Sequence, residues 1–242
     1  MIDGSVNQPN ETSIASRFIG RPFVMKLFLS SLILVCLVGV YSVFSWAMGD
    51  LYGYKVRYAL ERWQDTSVLP QLQEVSDVLA DSNRALSWEA RNPEYVELKG
   101  RVLYYRALAL GLDDQGLVDI SRAKTLHQQA LELRPRWPYS WANLVLMKSY
   151  LKEFDEEYHQ ALINSLKFGP WEKSVHLTLS HAAALSWRAL SLEQKRLFAK
   201  NIERGIVRNM PEIRSILSVY NRKSSICAYL KRDPIQNKLC SA

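Results

Sequence analysis

An all-α chain, with a single N-terminal transmembrane helix followed by a body of helical hairpins, is the fold class that the sequence predicts. Three observations predict it. The run from Leu27 to Met48 holds no Asp, Glu, Lys, Arg or His, and it is longer than the roughly 20 residues a helix needs to cross a bilayer. Further on, apolar residues recur at i, i+3, i+4 and i+7, the spacing of one helix face. Gly and Pro fall between those stretches, in a pattern that returns at intervals of about 35–45 residues, as in chains built from stacked helical hairpins.

Taken in order, residues 1–26 read as a short N-terminal tail of mixed charge, carrying Asp3 and Glu11 beside Arg17, Arg21 and Lys26. Residues 27–48 are the predicted span. Lys26 and Asp50 bound it, and Trp46, Tyr52 and Tyr54 stand where aromatic side chains meet lipid headgroups. A cleaved signal peptide is the competing reading, because Ser45 and Ala47 have small-x-small spacing. The acidic residues in the tail and an apolar run beyond the usual 7–15 residues of a signal peptide core speak against it. Gly49 and Gly53 at the exit of the run read as a flexible joint. The basic residues flanking the span, Arg17, Arg21 and Lys26 before it and Lys55, Arg57 and Arg62 after it, balance. Orientation therefore rests on the short tail staying inside, which exports residues 50–242.

Residues 49–74 read as a juxtamembrane helical linker, and 75–190 as the repeat body. Val75, Val78, Leu79, Ser82 and Leu86 share a helix face, as do Leu126, Ala130 and Leu133. Pro70, Pro93, Gly111, Gly116, Pro135, Pro138, Gly169, Pro170 and Pro211 mark the breaks. Proline suits a helix's first turn, where its missing N–H would have lacked a partner anyway. Trp63, Trp88, Trp137 and Trp187 recur beside Leu and Ala and are expected in the core.

The net charge of +7 belongs to the last segment, 191–242. Residues 195–242 hold eleven Lys and Arg against Glu203, Glu212 and Asp233, spread out as a solvated basic face. No nucleic-acid-binding motif accompanies them, so no nucleic acid is expected. Cys36 lies in the span, leaving Cys227 and Cys240 as the pair in the body. A bond between them would staple the C-terminus and suit an oxidising compartment, and two free thiols are the alternative. No HExxH, GxSxG, P-loop or GxGxxG is present. No catalytic residue, metal site or cofactor is therefore predicted, and the chain is read as non-enzymatic. His127 and His159, each isolated among polar residues, are expected to be exposed, while His176 and His181 diverge around one helix. Asp113 with Asp114 lies in a Gly-flanked turn, and Asp155, Glu156 and Glu157 open a helix, acids there being favoured by the helix dipole.

Pro135 through Phe168 resembles the tetratricopeptide repeat (TPR): Pro135 in the inter-repeat turn, Trp141 and Leu144 in a first helix, Phe154 at the turn into the second. Gly100 and Ser180 supply the small residue of close helix approach in the flanking units. Val145 at the small position of the central unit, Lys99 for an apolar residue and Glu157 for Ala depart from the pattern. The resemblance implies a TPR-like α-solenoid whose inner helices line a groove. Its groove positions fall on Glu94, Glu97, Arg101 and Tyr104, then on Tyr139, Ala142, Leu146 and Ser149, then on Ser174, Leu177, His181 and Ala184. Such a surface would suit an extended peptide or a glycan.

The anchor, the stretch Asn92 to Leu110, the motif Ala130 to Leu144 and the final SSICAYLKRDPIQNKLC together resemble VpsP-type accessory proteins of bacterial exopolysaccharide biosynthesis. That resemblance implies a scaffold of a polysaccharide synthesis and export complex, held in the inner membrane with its body in the periplasm, whose partners are proteins of that complex or the glycan. A TPR assembly factor for a pilus, secretion or cytochrome-maturation system is the alternative, and an enzyme acting on cell-wall glycan a third.

Overall fold

In the computed structural model, which describes residues 12–66 and 68–241 (side chains from 23–64 and 68–241), every regular element is helical. Residues 1–11 of the N-terminal tail lie outside the described residues. The helices are α1 (Thr12–Thr66), α2 (Leu72–Trp88), α3 (Pro93–Ala109), α4 (Asp114–Leu133), α5 (Pro138–Leu151), α6 (Glu156–Phe168), α7 (Lys173–Ser186), α8 (Leu192–Val219), α9 (Lys223–Cys227) and α10 (Pro234–Cys240). The chain divides into two compact units between Ala47 and Met48.

The first unit holds the predicted span. Within Phe23–Gln64, α1 is long and apolar enough to cross a membrane. From Phe23 to Trp46 its large apolar side chains, Phe28, Leu32, Ile33, Val35, Leu37 and Val40 among them, are exposed. An exposed helix of this composition leaves its apolar surface to be covered by something other than the chain's own core.

In the second unit, local chemistry sets the helix boundaries. Asn92 caps α3 by accepting from the Glu94 N–H at 3.0 Å, and Asp113 caps α4 from Gly116 at 2.8 Å. Asp155 caps α6 from Tyr158 at 2.9 Å, and Ser191 with Gln194 forms a reciprocal capping box on α8. Pro93, Pro138 and Pro234 open α3, α5 and α10. Pro211 departs from the expectation of a break between helices. It sits inside α8, where Asn209 leaves helical geometry (φ −127°, ψ 34°) and the helix kinks, because proline has no N–H to give the preceding turn.

The helices pack as successive hairpins: α3 with α4, α5 with α6, and α7 with α8, while α5 also lies against α4 and α7. The larger core runs through these hairpins and includes Leu144, Tyr158, Leu162, Leu179, Phe198 and Ile202. A second core joins Val56, Ala59, Leu60 and Trp63 of α1 to Val75 and Ala85 of α2 and to Tyr95, Leu98 and Val102 of α3. The segment 49–66 is thus part of the body's packing. Arg57, bonded to Glu94 at 2.9 Å, and Trp63, donating to Glu74 at 2.7 Å, fasten it there. Gly49 and Gly53 lie inside continuous helix and form a flat for the Tyr95 ring: a Cβ on Gly53 would stand 2.6 Å from Tyr95 Cε1. They serve close packing against Tyr95.

Lys148 of α5 is 2% exposed, and its Nζ donates to Asp155 at 2.8 Å and Glu157 at 2.6 Å, with Glu153 3.5 Å away. Glu157, a departure from the repeat pattern, is therefore a partner of Lys148. Burial alone would raise the Asp155 and Glu157 carboxyls and lower the Lys148 ammonium, but the bonds between them win in the opposite direction. Lys148→Met is expected to cost about 1–2 kcal/mol, since the carboxylates are partly exposed and can rehydrate. The two lowered carboxyls contribute stability above their unfolded pKa that is lost as pH falls through the folded one. The variant's deficit, read from thermal unfolding at pH 7, should therefore shrink toward pH 3; an equal deficit at both would remove these pairs as its cause.

Cys227 and Cys240 form a disulfide that clasps α9 and α10. Ile226, Leu230 and Leu239 complete the attachment by burial in the main core. The basic side chains of this segment are dispersed: Lys200, Arg208, Lys231, Arg232 and Lys238 are exposed, while Arg214 donates to the Lys238 carbonyl at 2.6 Å.

Candidate functional site

One face of α3 carries Glu94, Glu97, Arg101 and Tyr104, one face of α5 carries Tyr139, Ala142 and Leu146, and one face of α7 carries Ser174, Leu177 and His181. Together they line a cavity of about 320 Å³. Two carried-over positions fall elsewhere. Ser149 is buried, donating to the Val145 carbonyl at 2.8 Å with the Tyr158 hydroxyl at 3.3 Å, and Ala184 is core. Both stand at the far end of their helices, where the faces turn inward against neighbouring hairpins.

Sequence reasoning missed several other wall residues. Asn143 and Thr178 lie four residues beyond Tyr139 and Ser174, so helical spacing from the predicted stripes would have found them. Arg57, Glu61 and Gln64 of α1 form a polar stripe at helical spacing and close one side. Nothing local could say that this stripe faces α3. Trp137, expected in the core, is half-buried and lines the groove, and Trp88 is half-buried too, whereas Trp63 and Trp187 are core.

The groove's electrostatics are uneven. Glu97 is 5% exposed and accepts from Trp137 Nε1 at 2.6 Å. Burial raises its pKa, against the pull of Arg101 and of the Trp137 bond. Glu94 shares Arg57 with Asp50, at 2.9 and 2.5 Å. Arg101 has no hydrogen-bond or ion-pair partner among the described residues, only the field of Glu97. Tyr139 donates to Glu172 at 2.6 Å, and burial first, then this carboxylate, pushes its hydroxyl up to about 12.

Rings build the rest of the wall. Trp137 meets Tyr139 edge-on at 5.0 Å, with the Arg134 guanidinium 3.5 Å from the indole centre. Trp63, Tyr105, Tyr104 and Tyr150 form a chain of contacts at 5.1, 5.5 and 5.8 Å. Burial raises the Tyr104 and Tyr150 hydroxyls far above the normal tyrosine range. At the α7 end, His181 stands edge-on to Tyr220 at 6.0 Å, its Nδ1 buried without a partner, and burial lowers its pKa. Such a surface offers acceptors, one unpaired guanidinium and aromatic faces, the means of binding an extended ligand.

The other histidines divide. His127, expected at the surface, is fully buried between α3 and α4, and both its ring nitrogens lack partners. Gly100 makes room for it, since a Cβ there would meet His127 Nε2 at 3.0 Å. His159 is partly exposed, 3.6 Å from Glu193. His176 faces away from the groove, its Nδ1 3.0 Å from Asn201 Oδ1, and so diverges from His181. Among the described residues, no three His, Cys, Asp or Glu side chains gather in a way that could hold a metal ion.

No protein-family model matches this chain, and no curated protein matches it significantly.

Proposed function

We propose that this protein is a membrane-anchored, non-catalytic scaffold that holds an extended segment of a partner protein in the groove between α3, α5 and α7. The observation that carries the reading is the convergence of three helix faces, one from each hairpin, on a single cavity at ten of the twelve positions that the TPR resemblance assigns. The anchor supports work near a bilayer. The Cys227–Cys240 bond supports an oxidising compartment, and hence a body on the periplasmic side of an inner membrane. The finer assignment, to a VpsP-type accessory role in exopolysaccharide synthesis and export, rests on the sequence resemblance.

Affinity capture of the full-length protein from membranes tests this. With Tyr104 and Tyr139 both changed to Ala, proteins of a polysaccharide polymerase or export complex recovered with the natural chain should be lost, while the helical signal is unchanged. An unaltered partner set would sink the groove reading, and partners drawn from a pilus or secretion assembly would move the protein to that system.

A further inference from the structure

We infer that the α1–α3 end of the groove is a cation site, and that the partner segment it receives is basic, presenting a Lys or Arg side chain to Glu97. The inference rests on the groove reading above and names its ligand. Glu97 is a carboxylate at the wall of an open cavity, 5% exposed, whose one hydrogen bond among the described residues comes from Trp137. A buried carboxylate so poorly served is stabilised strongly by an arriving ammonium or guanidinium. Glu61 lines the same end with no partner among the described residues, and Glu94 lies beside it.

The charges present do not satisfy this set. Arg57 already serves both Asp50 and Glu94. Arg101 stands one helical turn from Glu97 yet outside ion-pair distance, so it offsets part of the negative potential at Glu97 without occupying the carboxylate. The walls have the complementary chemistry. Leu98, Ala142 and Leu146 offer apolar surface for a long methylene stem, and Tyr105 and Trp137 line the same cavity. An anionic ligand would have to bring its charge beside Glu97, where Arg101 is already offset.

The test uses the full-length protein in lipid nanodiscs and fluorescent, end-blocked peptides in which Ser alternates with Lys, Gln or Glu. The Lys peptide should bind about tenfold or more tightly than the Gln peptide, and the Glu peptide should not bind. Its affinity should fall with added salt. Glu97→Gln should weaken the Lys peptide about tenfold. Arg101→Ala should strengthen it about threefold, because a like charge is removed. Glu132→Gln, an exposed carboxylate outside this cavity, should change nothing. Circular dichroism and unfolding midpoints verify that each variant is folded.

Equal binding of Lys and Gln peptides, or binding lost in Tyr139→Ala but untouched by Glu97→Gln, overturns the cation site and leaves the groove standing. Failure of every peptide, with no response to either substitution, overturns both. A fully deacetylated glucosamine tetramer that displaces the Lys peptide and binds more tightly would assign the carboxylates to an aminoglycan and overturn the peptide assignment.

Discussion

Arg106→Met is expected to destabilise the protein by about 3–5 kcal/mol, the cost of leaving a buried charge without its partner. Arg106 reaches from α3 to α4, and its Nε and Nη2 donate to the two oxygens of Asp119 at 2.6 and 2.5 Å. Asp119 is fully buried, and the two-pronged bond raises the Arg106 pKa further. Arg122 lies 3.8 Å from Asp119, but it is 60% exposed and cannot replace the paired geometry. Thermal unfolding of the full-length protein in detergent should show the midpoint of the body falling by roughly 10 °C, at the 2–4 °C per kcal/mol usual for chains of this size. The double change Arg106→Met with Asp119→Leu should recover most of that loss, because neither charge then needs solvation. A double variant as unstable as the single one would show that packing between α3 and α4, and not the charge pair, sets the effect. Since α3 carries Glu94, Glu97, Arg101 and Tyr104, the single variant should also weaken partner capture.

The second large effect is a pH dependence written into His127. Burial, and secondarily the nearby Arg101, lowers its folded pKa from 6.5 to about 3. Between those values the unfolded chain binds a proton that the folded chain refuses. Stability is therefore full above about 6.5 and falls as pH drops through the window, by about 1.4 kcal/mol per pH unit. Going from pH 6.5 to 5 costs about 2 kcal/mol from this residue. His127→Leu removes the titration and also the two unpartnered nitrogens. The variant should match or slightly exceed the natural chain at pH 8 and exceed it by about 2 kcal/mol at pH 5. His176 and His181 are lowered too, so the slope should be reduced without vanishing. A midpoint difference that stays constant between pH 8 and pH 5 would show that His127 does not govern this window.

Much of this architecture was legible in the sequence because it is local. Pro93, Pro138 and Asp155 declare helix starts through groups within a few residues of one another, whereas the caps Asn92, Asp113 and Ser191 were seen only in the structure. A helix long and apolar enough to cross a membrane was legible from the lack of charge in 27–48. The groove stripes were legible too, since positions three, four and seven apart share a helix face wherever the helix ends up. Ser149 and Ala184 went astray because a stripe gives direction around one helix and says nothing of where a neighbouring hairpin covers it.

His127, Gly53 and Asp119 mark the limit from the other side. A histidine between Leu126 and Gln128 reads as surface, and only the approach of Gly100 from another helix buries it. The flat of Gly49 and Gly53 acquires a purpose only when Tyr95 arrives. Asp119 is one acid among many until Arg106 closes on it across a turn. By itself the sequence determined the helical class, the long apolar N-terminal helix, most of the breaks and the faces, because turn chemistry and periodicity act over a few residues. The tertiary structure decided which faces meet, drew 49–66 into the body's core and closed the groove with Arg57 and Glu61. Those outcomes depend on contacts between residues far apart in the chain, whose energies exist only after packing.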